Sequence, residues 1–180
     1  NGGGLYISNS AGNGISSSVN SPGGIDGNWV TPLVANSIGE IFSGFDYLYK
    51  LNGNAWEQQN FDPTGSGNID YIEVDPTDNN IMYVANGTGL YKSIDRGISF
   101  TLVYTAHASI TSVEVNNSNN EIVYLTTSGS AGRVLKSLDG GVSFINITTG
   151  IPNIGKNIIV HQPRHTDNPL YVGTSLGVYY

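Results

Sequence analysis

The chain contains no cysteine and few basic residues. The missing cysteine excludes disulfide bonds, thiolate metal sites and a cysteine nucleophile. Lysine and arginine together number 7, against 14 aspartate and glutamate residues, so the net charge is −7. The broad positive field that drives binding to nucleic acid is therefore missing, and we exclude a dedicated nucleic-acid-binding protein. No uncharged apolar run approaches the roughly 20 residues that span a bilayer, so we expect no membrane span.

Charged residues are also scarce, but the sequence has what a folded core and many turns require. They make up 12% of the 180 residues, about half of the ordinary share, whereas 38% of the residues are hydrophobic and 24 are glycine. Asparagine and serine supply most of the polar positions. Many secreted bacterial proteins have such a surface, and we expect a secreted or cell-surface protein.

The chain repeats itself with a period typical of propeller blades. Tyr83 and Tyr124 lie 41 positions apart, and Ser93 and Ser137 lie 44 apart, within two blocks that match segment by segment. Four-stranded propeller blades have repeats of this length. Each segment is short, rich in β-branched and aromatic residues and bounded by turn residues, as strands are. The matching segments are 69–74 with 110–115, 81–85 with 122–126 and 89–93 with 133–137.

These repeats predict an all-β fold, a β-propeller of four-stranded antiparallel blades with about four blades' worth of strands. Helical periodicity is nowhere sustained, and a β-sandwich gives no reason for such a repeat. We treat residues 1–180 as a single domain and letter the strands of a blade A to D from the inside out. The predicted blades cover 1–20 (strands C and D), 29–59, 69–104, 110–148 and 155–180 (strands A to C), and the first strand of the second blade is predicted over 29–34.

Two closures of these strands are possible. The first and last segments pair into one blade of a four-bladed ring, or the chain is part of a propeller of six to eight blades. We favour the second, in which the partners are the remaining blades or, by self-association, another copy. The residues expected to be buried between blades are Tyr6, Tyr49, Tyr83, Tyr91, Tyr124, Phe100, Phe144, Val134 and Leu135.

A turn motif recurs between strands C and D, with the pattern Ser-x-Asp-x-Gly-x-x-aromatic. The Asp carboxylate accepts backbone N–H groups within its own turn, the Gly adopts a positive φ, and the aromatic ring returns into the layer between sheets. Residues 8–12 and 51–56 are degenerate copies. The two full copies consist of Ser93, Asp95, Gly97 and Phe100, and of Ser137, Asp139, Gly141 and Phe144.

This motif closely resembles the Asp box, also called the bacterial neuraminidase repeat, of the propellers of sialidases, xyloglucanases, sortilin-type receptors and photosystem assembly factors. The resemblance covers nearly the whole chain. It implies that the boxes are structural and lie at the blade periphery, on the face opposite the active site. Because the superfamily is functionally broad, the resemblance does not select an activity.

Candidate functional residues are sought in the B–C and D–A loops, which strand alternation places at one end of the propeller. Asp62 and Asp70 are the candidate catalytic pair of a glycosidase, which requires two carboxyl groups about 5 to 10 Å apart. Asp46 and His107 are candidate ligand contacts. For all four residues, ordinary turn chemistry or solvent exposure is the simpler interpretation.

Other residue groups that are typical of catalytic, metal or nucleotide sites are missing, or their members are badly placed to act together. Arg96, Arg133 and Arg164 fall on separate elements, which speaks against the arginine cluster of a sialidase. His161 and His165 have the spacing of a helical metal pair, but Pro163 and the strand context remove that geometry, and we expect both in a solvated A–B turn. The sequence carries no nucleotide-binding glycine motif and no EF-hand. We expect neither a metal nor a cofactor.

The favoured function is that of a non-catalytic binding or scaffold propeller, which recognises a glycan or another protein through the B–C and D–A loops. It depends on the lack of a clear catalytic constellation and on the low charge of the loops. The alternative is a glycoside hydrolase propeller, xyloglucanase-like or sialidase-like, that acts on polysaccharide.

Overall fold

The structure is a computed structural model that describes residues 4–61 and 67–180. Over these residues the chain forms strands joined by turns and one short 3-10 turn at Pro22–Gly24. The strands are β1 (Leu5–Ile7), β2 (Ser17–Val19), β3 (Leu33–Ala35), β4 (Ile41–Gly44), β5 (Leu48–Asn52), β6 (Ala55–Gln58), β7 (Tyr71–Val74), β8 (Met82–Asn86), β9 (Gly89–Ser93), β10 (Thr101–Thr105), β11 (Ile110–Val115), β12 (Val123–Thr127), β13 (Val134–Ser137), β14 (Ile145–Asn146), β15 (Lys156–His161), β16 (Leu170–Thr174) and β17 (Gly177–Tyr179).

Consecutive strands pair antiparallel into five sheets among the described residues. The first sheet holds β1 and β2, the second β3 to β6, the third β7 to β10, the fourth β11 to β14 and the fifth β15 to β17. Each innermost strand packs against the innermost strand of the next sheet, as β7 does with β11 and β11 with β15. Such up-and-down sheets stacked in series are the blades of a β-propeller. The predicted all-β class and four-stranded antiparallel blades are confirmed, with about four blades present.

One strand boundary differs clearly from the prediction. The segment predicted as a strand over 29–34 is mostly loop, and β3 begins only at Leu33. The Thr31 hydroxyl donates a hydrogen bond to the Asn28 carbonyl oxygen at 3.0 Å and closes a turn there. Trp29, inside this turn, is fully exposed. Its aromatic side chain therefore belongs to a surface loop and not to the layer between sheets.

The core lies between the sheets, and large side chains of strand B are at its centre. Phe42, Tyr83 and Tyr124 succeed one another at intervals of 41 residues and are all buried. Tyr83 packs between the third and fourth sheets with Leu90, Val113 and other apolar side chains. Removing this apolar surface from water is the main favourable term for such a fold. The 41-residue repeat is thus the spacing of the inter-blade contacts.

The predicted burial holds for most of the aromatic residues and fails for Tyr6. The buried residues are Tyr49, Tyr83, Tyr124, Val134 and Leu135, and Tyr91, Phe100 and Phe144 are partly buried and pack against the same clusters. The Tyr6 side chain is 67% exposed. Alternation along β1 gives the reason, because Leu5 lines a small cavity with Leu33 and Trp56 of the second sheet and Tyr6 therefore lies on the opposite face.

The two terminal sheets are separate in this structure. Strand β16 is hydrogen-bonded to β15 on one side and to β17 on the other, while β1 pairs with β2. Because β17 occupies the edge of β16, β1 and β2 are not part of the last sheet in this structure. On the outer face of the fifth sheet, Tyr171, at the position of Tyr124, is 38% exposed.

Among the residues that the structure describes, no helix has both the length and the apolar character needed to cross a bilayer.

The glycine of the second full turn motif provides a test of the contact between sheets. Gly141 has a φ of +91°, and a Cβ atom there would lie 3.1 Å from Cε1 of Tyr83 in the preceding sheet. Gly150 is a matched control, because its φ is +87° but nothing lies within 4 Å of a built Cβ. We expect Gly150→Ala to cost about 1 kcal/mol in the free energy of unfolding, and Gly141→Ala to cost roughly 1 to 2 kcal/mol more. Urea unfolding measures both values, and equal losses would contradict the packing role of Gly141.

Candidate functional site

The B–C and D–A loops lie together at one end of the sheets, which we call the loop face. The backbone of the D–A loop that precedes β11 is bonded to the preceding B–C loop: Ala106 N–H donates to the Thr88 carbonyl and Ile110 N–H donates to the Gly87 carbonyl, both at 2.8 Å. The next B–C loop continues the pattern, since Ser128 N–H donates to the Ser109 carbonyl. Hydrogen bonds therefore join the loops of neighbouring blades into a continuous belt.

Asp70, a candidate catalytic residue, is part of this belt. Its Oδ2 accepts the backbone N–H of Gly87 at 2.7 Å, and its Oδ1 lies 3.4 Å from Nδ2 of Asn28. The side chain is exposed at the loop face. Asp62, its predicted partner, lies outside the described residues. The Asp70 carboxylate thus connects a D–A loop to a B–C loop.

Asp46, a candidate ligand contact, is half-buried and bonded within its own loop. Its Oδ1 accepts the backbone N–H of Tyr47 at 3.0 Å and the hydroxyl of Tyr49 at 3.2 Å. Burial and the neighbouring Asp46 carboxylate together raise the pKa of Tyr49 to about 12. Asp46 therefore stabilises the β4–β5 loop.

His107, the second candidate ligand contact, is exposed on the loop face. Its Nε2 lies 3.2 Å from the carbonyl oxygen of Ala131 in the next B–C loop. The other ring nitrogen is not part of that contact. The structure thus places Asp46, Asp70 and His107 on the same face, each in a different loop.

Trp29 is a loop-face residue that sequence reasoning missed, because its neighbours were interpreted as a strand. Its relative exposure is 102%, and Val30 beside it is also exposed. The loop is anchored on both sides: Nδ2 of Asn28 donates to the Ile69 carbonyl at 3.0 Å, and Thr31 bonds back to Asn28. The turn-prone Gly27 and Asn28 were the sequence signal that a loop precedes β3.

The two full Ser-x-Asp-x-Gly turns lie at the opposite end of the sheets, which carries the A–B and C–D turns and which we call the turn face. Ser93 Oγ donates to Asp95 Oδ1 at 2.8 Å and accepts the N–H of Gly97 at 2.9 Å. Ser137 makes the same bonds, to Asp139 at 2.7 Å and from Gly141 at 2.8 Å. Phe100 packs against Phe61 and Phe144 against Tyr104, each pair with tilted rings.

Each of these turns has one more polar member, which was not singled out from the sequence. Asp95 accepts the backbone N–H of Ser99 at 2.9 Å and its hydroxyl at 2.6 Å. The Ser99 hydroxyl and N–H and the Ser93 hydroxyl stabilise the charged form and lower the pKa of Asp95 to about 2. The equivalent Ser143 lowers the pKa of Asp139 in the same way. The sequence signal for this additional polar member is a serine that follows the glycine by two residues in both copies.

The degenerate copies differ from each other. In the first, Ser8 Oγ accepts the N–H of Gly12 at 3.0 Å, so the turn keeps its shape with Ser10 in place of the Asp. In the second, Asn52 pairs directly with Ala55, and residues 53–54 form a tight hairpin between β5 and β6. The second copy is therefore a different turn.

Two glutamates between the sheets were also missed. Burial and the nearby Glu114 raise the pKa of Glu73 to about 8, although the Glu73 carboxylate accepts the N–H of Val115. Glu114 in turn accepts the N–H of His161 at 3.0 Å. Perturbed carboxyl groups are common in active sites, but each of these binds the backbone of the next blade. Their geometry is that of contacts between blades.

His161 is not in a solvated turn, and this expectation was wrong. It is the last residue of β15, is 2% exposed and has its ring stacked on Tyr124. Its pairing with Leu170 makes it part of the strand, so the A–B turn begins only after it. His165 is exposed in the A–B turn, as expected. Within 4–61 and 67–180, no group of three His, Cys, Asp or Glu side chains is arranged to hold a metal ion.

The three arginines lie apart. Arg96 is in a C–D turn near the carboxylate of Glu40, with Nε 3.9 Å from Oε2. Arg133 precedes β13 next to a B–C loop, and Arg164 lies in the last A–B turn.

Comparison with known proteins supports the fold. No protein-family model matches the chain, and no curated protein sequence matches it either. Among solved structures, the chain is similar to a GH74 xyloglucanase from Xanthomonas campestris, with a TM-score of 0.64 and 18% identity over 84% of this chain and 29% of the enzyme. It is similar to YCF48 from Cyanidioschyzon merolae, with a TM-score of 0.63 and 14% identity over 84% of this chain and 50% of that protein.

A third similar structure is the extracellular domain of a one-component system from B. thetaiotaomicron, with a TM-score of 0.61 and 12% identity over 81% of this chain and 20% of that one. The chain thus spans half or less of the length of these three structures. At such identities the similarity concerns the fold alone, which is a β-propeller.

The raised pKa of Glu73 generates a prediction about pH. A carboxyl group whose pKa is about 8 in the folded state and 4.5 in the unfolded state stabilises the fold fully below pH 4.5, and this contribution is lost as the pH rises towards 8. Glu73→Gln should therefore raise the free energy of unfolding at pH 8 by on the order of 2 kcal/mol and change it little at pH 4. Urea unfolding across this range checks the slope. The control is Glu57→Gln on the exposed strand β6, and equal slopes for wild type and Glu73→Gln would contradict the assignment.

Proposed function

We propose that this protein is a non-catalytic binding propeller that acts outside the cell and recognises a glycan through its loop face. The observation that carries the proposal is Trp29, a fully exposed indole on a loop that is anchored at Asn28 and Thr31. Exposed aromatic rings provide a flat apolar surface, and an anchored loop loses little conformational entropy on binding. Sugar rings present an apolar face of C–H groups that suits such a platform.

Polar groups beside the ring fit the same ligand class. Nδ2 of Asn28 lies 3.4 Å from Oδ1 of Asp70, and Asp70 belongs to the next D–A loop of the belt. Amides and carboxylates are the side chains that bond to hydroxyl groups as donors and acceptors. A protein surface is the other ligand that a platform of this kind accepts, and it is the alternative outcome of the binding test.

Two further features support binding over catalysis. The described acidic candidates of the loop face, Asp46 and Asp70, accept backbone N–H groups that hold their loops in shape. The carboxyl group with the strongly raised pKa, Glu73, contacts the next blade instead of the loop face. A glycoside hydrolase remains the second candidate function, because GH74 enzymes share the fold and Asp70 lies at the loop face.

The proposal includes a structural role for the two full C–D turns, as Asp boxes. The support is the hydrogen-bond set that both turns share, from Ser93 to Asp95 and Gly97, and from Ser137 to Asp139 and Gly141. These bonds use the polar atoms of the motif within the turn itself. An extracellular location is in keeping with the similar extracellular domain and with the low content of basic residues.

The test is binding of the protein to immobilised plant and bacterial oligosaccharides. We expect saturable binding to at least one glycan, and we expect Trp29→Ala to weaken it about tenfold, which corresponds to the loss of one aromatic contact. Ile94→Ala is the control, because Ile94 is an exposed apolar residue on the turn face. If Trp29→Ala binds as well as the wild type, the proposed role of the Trp29 ring as the glycan-binding surface is wrong. If the protein cleaves xyloglucan and Asp70→Asn abolishes the cleavage, it is a hydrolase.

A further inference from the structure

A cavity of about 440 Å³ opens at the turn face, at the other end of the sheets from Trp29. Its size is within the range of small-molecule sites in proteins. The A–B turns of the third, fourth and fifth sheets meet around it. Besides two prolines, its walls are formed by Asn117, Ser118, His161, Arg164, His165 and Asn168.

The back wall of the cavity is fixed by His161. This ring is almost wholly buried and stacks on Tyr124 with a centroid separation of 6.4 Å. Its Nδ1 lies 3.1 Å from Nδ2 of Asn117, and its Nε2 lies 3.3 Å from Oδ1 of Asn168. The amide side chains that line the cavity are therefore held in place by a buried polar group before any ligand arrives, which reduces the entropy lost on binding.

The charge of the lining is opposite to that of the protein. The chain has a net charge of −7, yet the residues that line the cavity include an arginine and two histidines and no carboxylate. Arg164 forms no ion pair within the part of the chain that the structure describes. Two acids lie next to the lining residues. Asp167 contacts Nδ1 of His165, with its Oδ2 4.0 Å away and its backbone N–H donating to that nitrogen at 3.2 Å, which leaves Nε2 of His165 as the ring nitrogen for a ligand, and Glu114 accepts the backbone N–H of His161.

Two of the lining residues have left-handed backbone. Asn168, with a φ of +49°, is of a residue type that tolerates it, whereas the φ of +62° at Arg164 is strained for a long side chain. Strained backbone of this kind persists where the surroundings determine it, and it clusters at ligand clamps. Here it presents a cationic and an amide side chain to the same cavity.

We propose that the cavity binds a small anionic molecule through a carboxylate or phosphate group. The Arg164 guanidinium offers the paired N–H groups that match two oxygens of such an anion, and the Asn117 amide and the His165 ring complete the set of donors. This site is separate from the loop face, and its existence does not depend on the glycan proposal.

NMR titration of the protein with inorganic phosphate, with citrate and with uncharged glycerol tests the site. We expect phosphate or citrate, but not glycerol, to give saturable shifts at Asn117, His161, Arg164, His165 and Asn168. The stronger of the two anions identifies the group as phosphate or carboxylate. Arg164→Asn, in a residue type that tolerates a positive φ, should weaken the binding at least about tenfold, because it removes a charged bidentate contact.

The matched control is Arg133→Asn, which makes the same change of charge at the other end of the sheets. It should leave the affinity for the anion unchanged. The proposal is overturned if neither anion gives saturable shifts at millimolar concentration, if glycerol binds as well, or if the two variants lose affinity equally. The unchanged signals of the other strands in the same spectra show that each variant is folded.

Discussion

The glycine of each full C–D turn packs against the side chains of the preceding sheet, and the spacing between blades depends on this contact. A Cβ atom at Gly97 would lie 3.3 Å from Leu48, and one at Gly141 would lie 3.1 Å from Tyr83. The residue before each glycine, Arg96 or Gly140, donates its N–H to a carbonyl of an A–B turn of the same sheet. Both contacts require the left-handed backbone that the Ser and Asp side chains hold in place.

At one boundary this packing also carries a buried hydrogen bond. The Tyr83 hydroxyl donates to the Gly140 carbonyl at 2.9 Å, and the Lys92 ammonium donates to the same oxygen at 3.0 Å. The Lys92 ammonium also lies over the Tyr83 ring, 5.4 Å from its centroid. The turn face thus joins blades through buried side-chain contacts, in addition to the backbone hydrogen bonds that join the loops at the other end. The cavity beside His161 is the part of the turn face where three A–B turns leave space instead of packing.

The sequence predicted the fold well because the repeat and the turn motif are local signals. The tyrosines at 83 and 124 mark the inter-blade contacts, and the Ser, Asp and Gly of the motif each have a task within eight residues. Tyr6, Trp29 and His161 could not be placed in this way. Whether an aromatic ring in a short strand is covered depends on the neighbouring sheet, and the burial of His161 depends on Tyr124 and on asparagines about 45 residues earlier in the chain. The candidate site was harder to predict than the fold, because the residues of the loops do not follow the repeat that marks the strands.

A double-mutant cycle between Tyr83→Phe and Ser137→Ala tests most directly whether the turn and the contact between sheets form one unit. Ser137 is buried, and it holds the N–H of Gly141 next to the carbonyl that Tyr83 binds. If the turn geometry delivers that carbonyl to Tyr83, the free energies of unfolding will be non-additive by about 0.5 to 1 kcal/mol, because the second substitution removes a bond that the first has already weakened. Losses that add within error would show that turn and contact are independent, and would contradict this view of the fold.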